Sequence, residues 1–216
     1  MRVFSPRRIA RMISRRLLLA VTFLTLLPVT AAPAVPLTDG AATFVQSLAT
    51  QALGTLRTPG TTLEQREADF RVLLRQKFDV DFIARFVLGR AWNELGAEQR
   101  ADYVQVFAEF ILKTYSQRLG GYSGETFAIV GARQAGDEDA VVQTRIDRPS
   151  GPPLAADWRV RYEGDRYRII DVAVEGISMA ITQRQEFAAV IARSGVAGLL
   201  ETLHARVDKL PATAAR

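Results

Sequence analysis

Two acidic residues in the last third of the chain have the spacing that a catalytic carboxylate pair would need. Asp171 and Glu175 lie four residues apart in "YRIIDVAVEG", and residues i and i+4 of a β-strand point to the same side of a sheet. A carboxylate in an apolar pocket can act as a general base, and a tyrosine such as Tyr162 or Tyr167 could donate to a developing oxyanion. The pair is therefore the candidate centre of an isomerase or a hydrolase.

The same acids also fit a purely structural role. Asp171 could pair across a sheet with an arginine such as Arg159 or Arg161, and Glu175 could cap the helix that follows. The alternation of a strand predicts two faces here, one with the two acids, Ile169 and Ala173, and the other with Ile170, Val172 and Val174. The structural role is the favoured interpretation.

Other chemistry has little support in the residue types. His204 is the one histidine and there is no cysteine, so neither a thiol nucleophile nor an ordinary zinc site is available. Gly-rich phosphate loops and a G-x-S-x-G motif are also missing from the sequence. Trp158 alternates with arginines in a manner that could stack nucleobases, but such rows are more typical of the two faces of one strand. We expect no metal, no cofactor and no nucleic-acid partner.

The basic character of the chain is confined to its N-terminus. Six of the 28 Lys and Arg residues are arginines before residue 17, and the first acid is Asp39. The other 22 basic residues face 23 Asp and Glu residues, so the remainder of the chain is almost neutral. General electrostatic binding to the phosphate backbone of a nucleic acid is therefore not expected.

The N-terminal segment has the layout of an export signal. Basic "MRVFSPRRIARMISRR" precedes apolar "LLLAVTFLTLL" and then small residues in "PVTAAPAVP", which predicts cleavage near Ala31 to Ala34. An uncleaved anchor and twin-arginine export through "SRRLLLA" are the alternatives. The predicted organisation is a signal peptide over 1–34, one domain over 35–210 and a disordered tail over 211–216, with the domain located in the periplasm.

In the middle of the remaining chain, the spacing of apolar residues changes from helical to strand-like. Helical spacing covers "DGAATFVQSLATQALGTL", "LEQREADFRVLLRQKF", "DVDFIARFVLG" and "AEQRADYVQVFAEFILKTYSQRL", with Asp39 and Thr62 as predicted caps. Four strand-like segments follow, separated by "GDED", "RPSGPP" and "GD", and two helical stretches meeting at Gly195 close the chain. This order predicts an α+β domain in which a four-stranded, twisted antiparallel sheet is covered by N- and C-terminal helices.

Three segments of the chain resemble one known family. "FVLGRAW" (86–92), "AEQRADYVQVFAEFILKTYSQRLGGYSGETF" (97–127) and "DVAVEGISMAITQRQEF" (171–187) are similar to the periplasmic phospholipid-binding proteins of the Mla pathway, the MlaC or toluene-tolerance family. The similarity runs from about Leu63 to Leu203, and the VLG and VEGIS motifs at this separation carry most of its specificity. A hopanoid-associated branch of the family looks equally close.

The resemblance implies a carrier that buries the acyl tails of a phospholipid, or alternatively a hopanoid, in an apolar cavity between sheet and helices. Its implied partners are an inner-membrane ABC transporter with an MCE-domain subunit and an outer-membrane lipoprotein complex, and its cargo is the bound lipid. At the VEGIS corner, Gly176 allows the sharp turn, Ser178 caps the next helix, and Ile177 and Met179 point inward. No catalytic residue is required.

The expected lipid-contacting residues follow from this picture and from the apolar surplus of the segments. They are Phe82, Phe86, Leu88, Tyr103, Phe107, Ile111, Val174, Ile177 and Met179. Arg90, directly after the VLG turn, is the headgroup candidate because a guanidinium at a pocket mouth can hold a phosphate by two hydrogen bonds.

Overall fold

The computed structural model of the chain describes residues 36–58, 60–116 and 124–209. The predicted signal peptide (1–34) and the predicted tail (211–216) lie outside the described residues, so both stay predictions. No helix within the described ranges is long and apolar enough to span a membrane.

In the described part of the chain, four α-helices and one 3₁₀ segment precede the sheet, and one long helix follows it. The elements are α1 (Leu37–Arg57), α2 (Leu63–Lys77), α3 (Val80–Leu88), a 3₁₀ segment (Gly89–Glu94), α4 (Ala97–Ser116), β1 (Thr126–Gln134), β2 (Asp139–Asp147), β3 (Leu154–Glu163), β4 (Arg166–Val174), β5 (Ile177–Ser178) and α5 (Met179–Lys209). Non-helical backbone interrupts α5 at Gly195, whose φ is 68°. The interruption lies where the sequence predicts one helix to end and another to begin.

Side-chain caps define several helix starts. The Thr62 hydroxyl accepts from the Gln65 N–H at 3.2 Å, and the Asp79 carboxylate accepts from the Phe82 N–H at 3.0 Å. The expected cap at Asp39 is wrong, because α1 begins two residues earlier at Leu37 and has no side-chain cap. Asp39 instead lies in the first turn, where its charge complements the helix dipole.

The sheet is antiparallel throughout, with its strands in sequence order. This confirms the α+β prediction, although the strand count is five because Ile177–Ser178 pairs with Ala173–Val174. The turn between β4 and β5 has positive φ at both central residues, 50° at Glu175 and 78° at Gly176. Such a turn matches the twist of a hairpin, and it directs the chain from β4 into α5.

A β-bulge in β4 changes which residues share a face. Val160 pairs with Ile169, whereas the preceding Arg159 pairs with Asp171, so Ile170 is the extra residue. Ile169 and Val172 consequently pack on the same side, in contact with one hydrophobic cluster. The simple alternation expected from sequence, with Ile169 and Val172 on opposite faces, is therefore wrong at this point.

Two hydrophobic clusters occupy different parts of the domain. In the first, which we call the sheet core, α1 packs Ala41, Val45 and Leu48 onto one face of the sheet. The second, the helix core, lies among α3, α4 and α5 around Tyr103 and Phe107. The part of the sheet face that α1 leaves uncovered is the floor of a cavity.

Candidate functional site

A cavity of about 720 Å³ lies between one face of the sheet and the helices. The sheet supplies its floor, and α2, α3, α4 and α5 supply its walls. The lining residues are Phe70, Leu74, Phe78, Val80, Ile83, Val87, Phe107, Ile111, Tyr115, Ile146, Leu154, Ala156, Trp158, Asp171, Val172, Val174, Glu175, Ile177, Met179, Ala180 and Gln183. Aliphatic and aromatic side chains dominate this surface, which suits a large apolar ligand.

The floor keeps its polar groups turned away from the space above it. The Trp158 indole N–H donates to the Thr144 hydroxyl at 3.0 Å, and this hydroxyl donates to the Ala156 carbonyl at 2.7 Å. Thr144 is buried on β2, so the chain of hydrogen bonds runs within the sheet. Trp158 can therefore present its ring to the cavity with its N–H already satisfied.

The β4–β5 turn and the start of α5 form the mouth of the cavity. Ile177 lines the cavity and is nevertheless 60% exposed, which places it at the opening. Met179 follows it, and its sulfur accepts from the Tyr115 hydroxyl of α4 at 3.8 Å. Gly176 and Ser178 have the expected roles in geometry, since Gly176 has a positive φ and the Ser178 hydroxyl accepts from the Ile181 N–H at 3.1 Å.

Both acids of the predicted pair border the cavity, and both are bound by structural groups. Asp171 accepts from the Ser178 hydroxyl at 2.6 Å and from the Ala180 N–H at 3.1 Å. Glu175 accepts from the Ala155 N–H at 2.7 Å, while its own N–H donates to the Ala155 carbonyl at 3.0 Å. Asp171 thus caps α5, and Glu175 ties the β4–β5 turn to the start of β3.

Asp171 and Glu175 both have structural roles, as expected. The predicted arginine partner of Asp171 and the predicted helix cap at Glu175 are wrong. Arg159 and Arg161 both bind the buried Asp139, at 2.8 Å in each case, and leave Asp171 to the helix. Burial raises the pKa of the Asp139 carboxyl, but the hydrogen bonds from Arg161 and Arg159 and their charges outweigh it, so the pKa is lowered overall. Asp171 reaches the first turn of α5 because the β4–β5 hairpin folds the start of α5 back alongside β4.

The groups that an acid–base enzyme would need do not meet in the cavity. Tyr167 packs on Phe44 in the sheet core and on Tyr162, whose hydroxyl donates to Asp165. Neither tyrosine lines the cavity. Across the ranges that the structure describes, no three His, Cys, Asp or Glu side chains gather as metal ligands. His204 lies elsewhere, 3.1 Å from the Asp102 carboxylate.

The structure brings five of the nine expected contact residues to the cavity. Phe107 and Ile111 line it from α4, and Val174, Ile177 and Met179 line it from the corner. The other four lie outside the lining, and each is held by a different set of contacts. Sequence periodicity identifies an apolar face of a helix, but one such face can contact both a cavity and a packed core.

Leu88 and Tyr103 belong to the helix core. Leu88 is buried, and Tyr103 is fully buried with its hydroxyl donating to the Ala84 carbonyl at 3.0 Å. Burial raises the pKa of the Tyr103 phenol far above its ordinary value, since the charged form would be desolvated. Both residues pack in the helix core and do not line the cavity.

Phe82 and Phe86 are half-buried on α3 and do not line the cavity. Their rings stack with centroids 6.5 Å apart. The Arg161 guanidinium lies 4.5 Å from the Phe82 centroid, and the Arg184 guanidinium lies 5.0 Å from that of Phe86. These cation–π contacts connect α3 to β3 and α5. The side of α3 that faces the cavity carries Val80, Ile83 and Val87 instead.

Arg90 is exposed in the 3₁₀ segment and is not part of the lining. The 3₁₀ segment packs beside α3 on the helix core, so the assignment of Arg90 as the headgroup residue gains no support from the lining and stays a prediction. Among the described lining residues there is no Lys, Arg or His. The charged groups that border the cavity are both carboxylates.

Sequence reasoning missed the lining residues of α2, β2 and β3. Phe70 and Leu74 were visible as the apolar side of α2, while Ile146, Leu154 and Trp158 alternate with polar residues on their strands. Alternation alone could have identified the strand residues once the register was known. The pairing of Ile146 with Leu154 and of Val142 with Trp158 places them on one face.

Comparisons with known proteins agree with this geometry. The model of the MlaC protein family matches residues 46–205. The intermembrane phospholipid transport system binding protein MlaC of Haemophilus influenzae is 23% identical over 126 residues, 56% of this chain and 59% of that protein, so the match spans about three fifths of the relative's length. The solved phospholipid-binding protein from Ralstonia solanacearum, in complex with a phospholipid, superposes with a TM-score of 0.70 at 27% identity, covering 79% of this chain and 98% of that one. This chain therefore belongs to the MlaC protein family.

Proposed function

We propose that this protein is a phospholipid carrier that binds its cargo by burying acyl tails in the cavity between sheet and helices. The observation that carries the proposal is the 720 Å³ space with an almost entirely apolar lining. Its volume is within the range of about 300–1,000 Å³ that ligand pockets occupy. We assign a phospholipid as the cargo of this chain because the Ralstonia solanacearum relative was solved in complex with one.

Binding of tails needs apolar area more than polar contacts. Each methylene group removed from water contributes roughly 0.8 kcal/mol, so a long acyl chain supplies a large driving force without any specific hydrogen bond. The headgroup cannot be solvated inside such a lining and must remain near the mouth, beside Glu175 and Ile177. Turnover is not part of this function, and Asp171 acts as a structural group at the start of α5.

The location and partners of the carrier rest on the family resemblance. Within the proposal, the N-terminal signal is cleaved on export and the domain works in the periplasm. It receives and delivers phospholipid between an outer-membrane lipoprotein complex and an inner-membrane ABC transporter with an MCE-domain subunit. The name of the Haemophilus influenzae relative, an intermembrane phospholipid transport binding protein, supports this assignment.

Native mass spectrometry of the exported protein, purified without detergent, tests the proposal. We expect an adduct with the mass of a phospholipid, and fragmentation that identifies its headgroup and tails. An adduct with the mass of a hopanoid would show that the protein is a carrier whose cargo is a hopanoid and not a phospholipid. A protein without any adduct, which also fails to take up phospholipid from vesicles, would contradict the function itself.

A further inference from the structure

We propose that Glu175 makes the mouth of the cavity selective for phospholipids whose headgroup carries an ammonium group. The inference rests on the proposed carrier function and adds a residue that discriminates between headgroups. It would favour phosphatidylethanolamine over phosphatidylglycerol, since only the first carries a positive charge.

Glu175 has the position that such a role requires. It lines the cavity and is exposed, so it borders the opening next to Ile177. The hydrogen bond from the Ala155 N–H at 2.7 Å holds one of its carboxylate oxygens. Within the described ranges no partner is seen on the other oxygen, which is therefore available to a donor from the ligand.

The conformation of Glu175 is unusual for a residue with a side chain. Its φ of 50° lies in the left-handed region, which glycine or asparagine adopts more easily. The paired hydrogen bonds to Ala155 hold the residue in this conformation and fix the direction of the carboxylate. A carboxylate that is already oriented loses little side-chain entropy when a headgroup binds.

Glu175 forms no ion pair with any of the described residues. Asp171, the other acid of the lining, uses one oxygen for the Ser178 hydroxyl and the other for the Ala180 N–H. Arg145, on the strand next to Ala155, is bound to Asp147 at 3.0 Å. No cation belongs to the lining among the described residues. An ammonium group would relieve this imbalance, and an anionic headgroup would increase it.

Competition between two lipids measures the effect. The exported protein is loaded from vesicles of equal phosphatidylethanolamine and phosphatidylglycerol content, and the ratio of the two bound lipids is read by native mass spectrometry. We expect the ratio to favour phosphatidylethanolamine by about two- to fivefold, the range that an exposed ion pair supports. In Glu175→Gln the amide oxygen still accepts from the Ala155 N–H, and the ratio should fall to near one. Glu163→Gln, an exposed acid at the far end of β3, is the control and should leave the ratio unchanged.

A second measurement does not depend on any variant. In the unchanged protein the preference should shrink as the ionic strength approaches about 1 M, because the pair is screened. The ratio of the two bound lipids could be the same in the unchanged protein, in Glu175→Gln and at high salt. This result would overturn the inference about Glu175 and leave the proposed carrier function standing. Failure to bind either lipid would contradict the proposed function itself, so the two failures are distinguishable.

Discussion

The Asp171 carboxylate accepts a hydrogen bond from the Ser178 hydroxyl at 2.6 Å, and the same hydroxyl accepts from the Ile181 N–H. The acid also accepts from the Ala180 N–H, so two side chains together satisfy the first turn of α5. This arrangement fixes the angle at which α5 leaves the sheet. It also keeps a charged group at the cavity wall fully bound, which is compatible with an apolar ligand nearby.

Removing either member of this pair should destabilise the fold without abolishing lipid binding. Ser178→Ala and Asp171→Asn should each lower the free energy of unfolding by about 0.5–2 kcal/mol, as loss of a helix cap does. The double variant should cost less than the sum of the two, because each change removes the same hydrogen bond. Urea unfolding measures all three. Strictly additive effects would show that the two residues act independently.

Filling the cavity should reduce the amount of bound lipid. Ile111→Trp adds a large side chain to the α4 wall, and we expect lipid occupancy to fall severalfold while the protein stays folded. Val72→Trp is the matched control, since Val72 is on α2 but 50% exposed and outside the lining. Lipid extraction from both variants gives the result. Equal occupancy in the two would place the tails elsewhere.

Loss of the Thr144 hydroxyl should lower the free energy of unfolding more than loss of the Thr144 methyl group. Thr144→Val leaves the Trp158 indole N–H without its acceptor, and we expect a loss of about 1–3 kcal/mol in unfolding free energy. Thr144→Ser keeps the hydroxyl and should cost clearly less. Trp158 fluorescence in a Trp92→Phe background follows both unfolding and any contact of the indole with ligand. A larger loss in the serine variant would contradict this account of the floor.

Two glycines of α1 should respond oppositely to alanine. Nothing lies within 4 Å of a Cβ built on Gly54, so Gly54→Ala should stabilise the helix by about 0.5–1 kcal/mol. A Cβ on Gly40 would come within 1.9 Å of the Tyr167 hydroxyl, which would force this ring off its contacts with Phe44. We expect Gly40→Ala to be destabilising. Thermal unfolding of the two variants compares them directly, and stabilisation by both would show that Tyr167 moves freely.

Acid should weaken the attachment of Asp139 to β3. The folded state lowers the pKa of this carboxyl below its ordinary value of 3.8, so its contribution is complete above this pH and is lost as the pH falls through the folded pKa. At neutral pH Asp139→Asn should cost about 1.5–3 kcal/mol, because the hydrogen bonds from Arg159 and Arg161 lose their charged acceptor. Unfolding measured at pH 7 and near pH 3 should show a smaller acid effect in the variant. An identical pH dependence would contradict the assignment.

Much of the architecture was predictable because it depends on local pattern. Helical spacing located α2 and α3, with Thr62 as the predicted cap of α2, and alternation with turn signals located the four long strands. The Glu175-Gly176 corner was also recognisable, since a glycine at this position permits the positive φ that the turn requires. The contacts of Phe82 and Phe86 were not predictable, because their partners Arg161 and Arg184 lie 79 and 98 residues further along the chain.

The sequence by itself determined the order of elements, the resemblance to the MlaC family and the apolar surplus that a tail-binding protein needs. Only the tertiary structure decided which apolar residues border empty space and which pack on one another. The bulge at Ile170 illustrates the reason, since one extra residue in β4 puts Ile169 and Val172 on the same face. Likewise, Arg159 and Arg161 selected Asp139 over Asp171 because strand register places them together. A cavity exists where long-range packing leaves a gap, and no local pattern encodes such a gap.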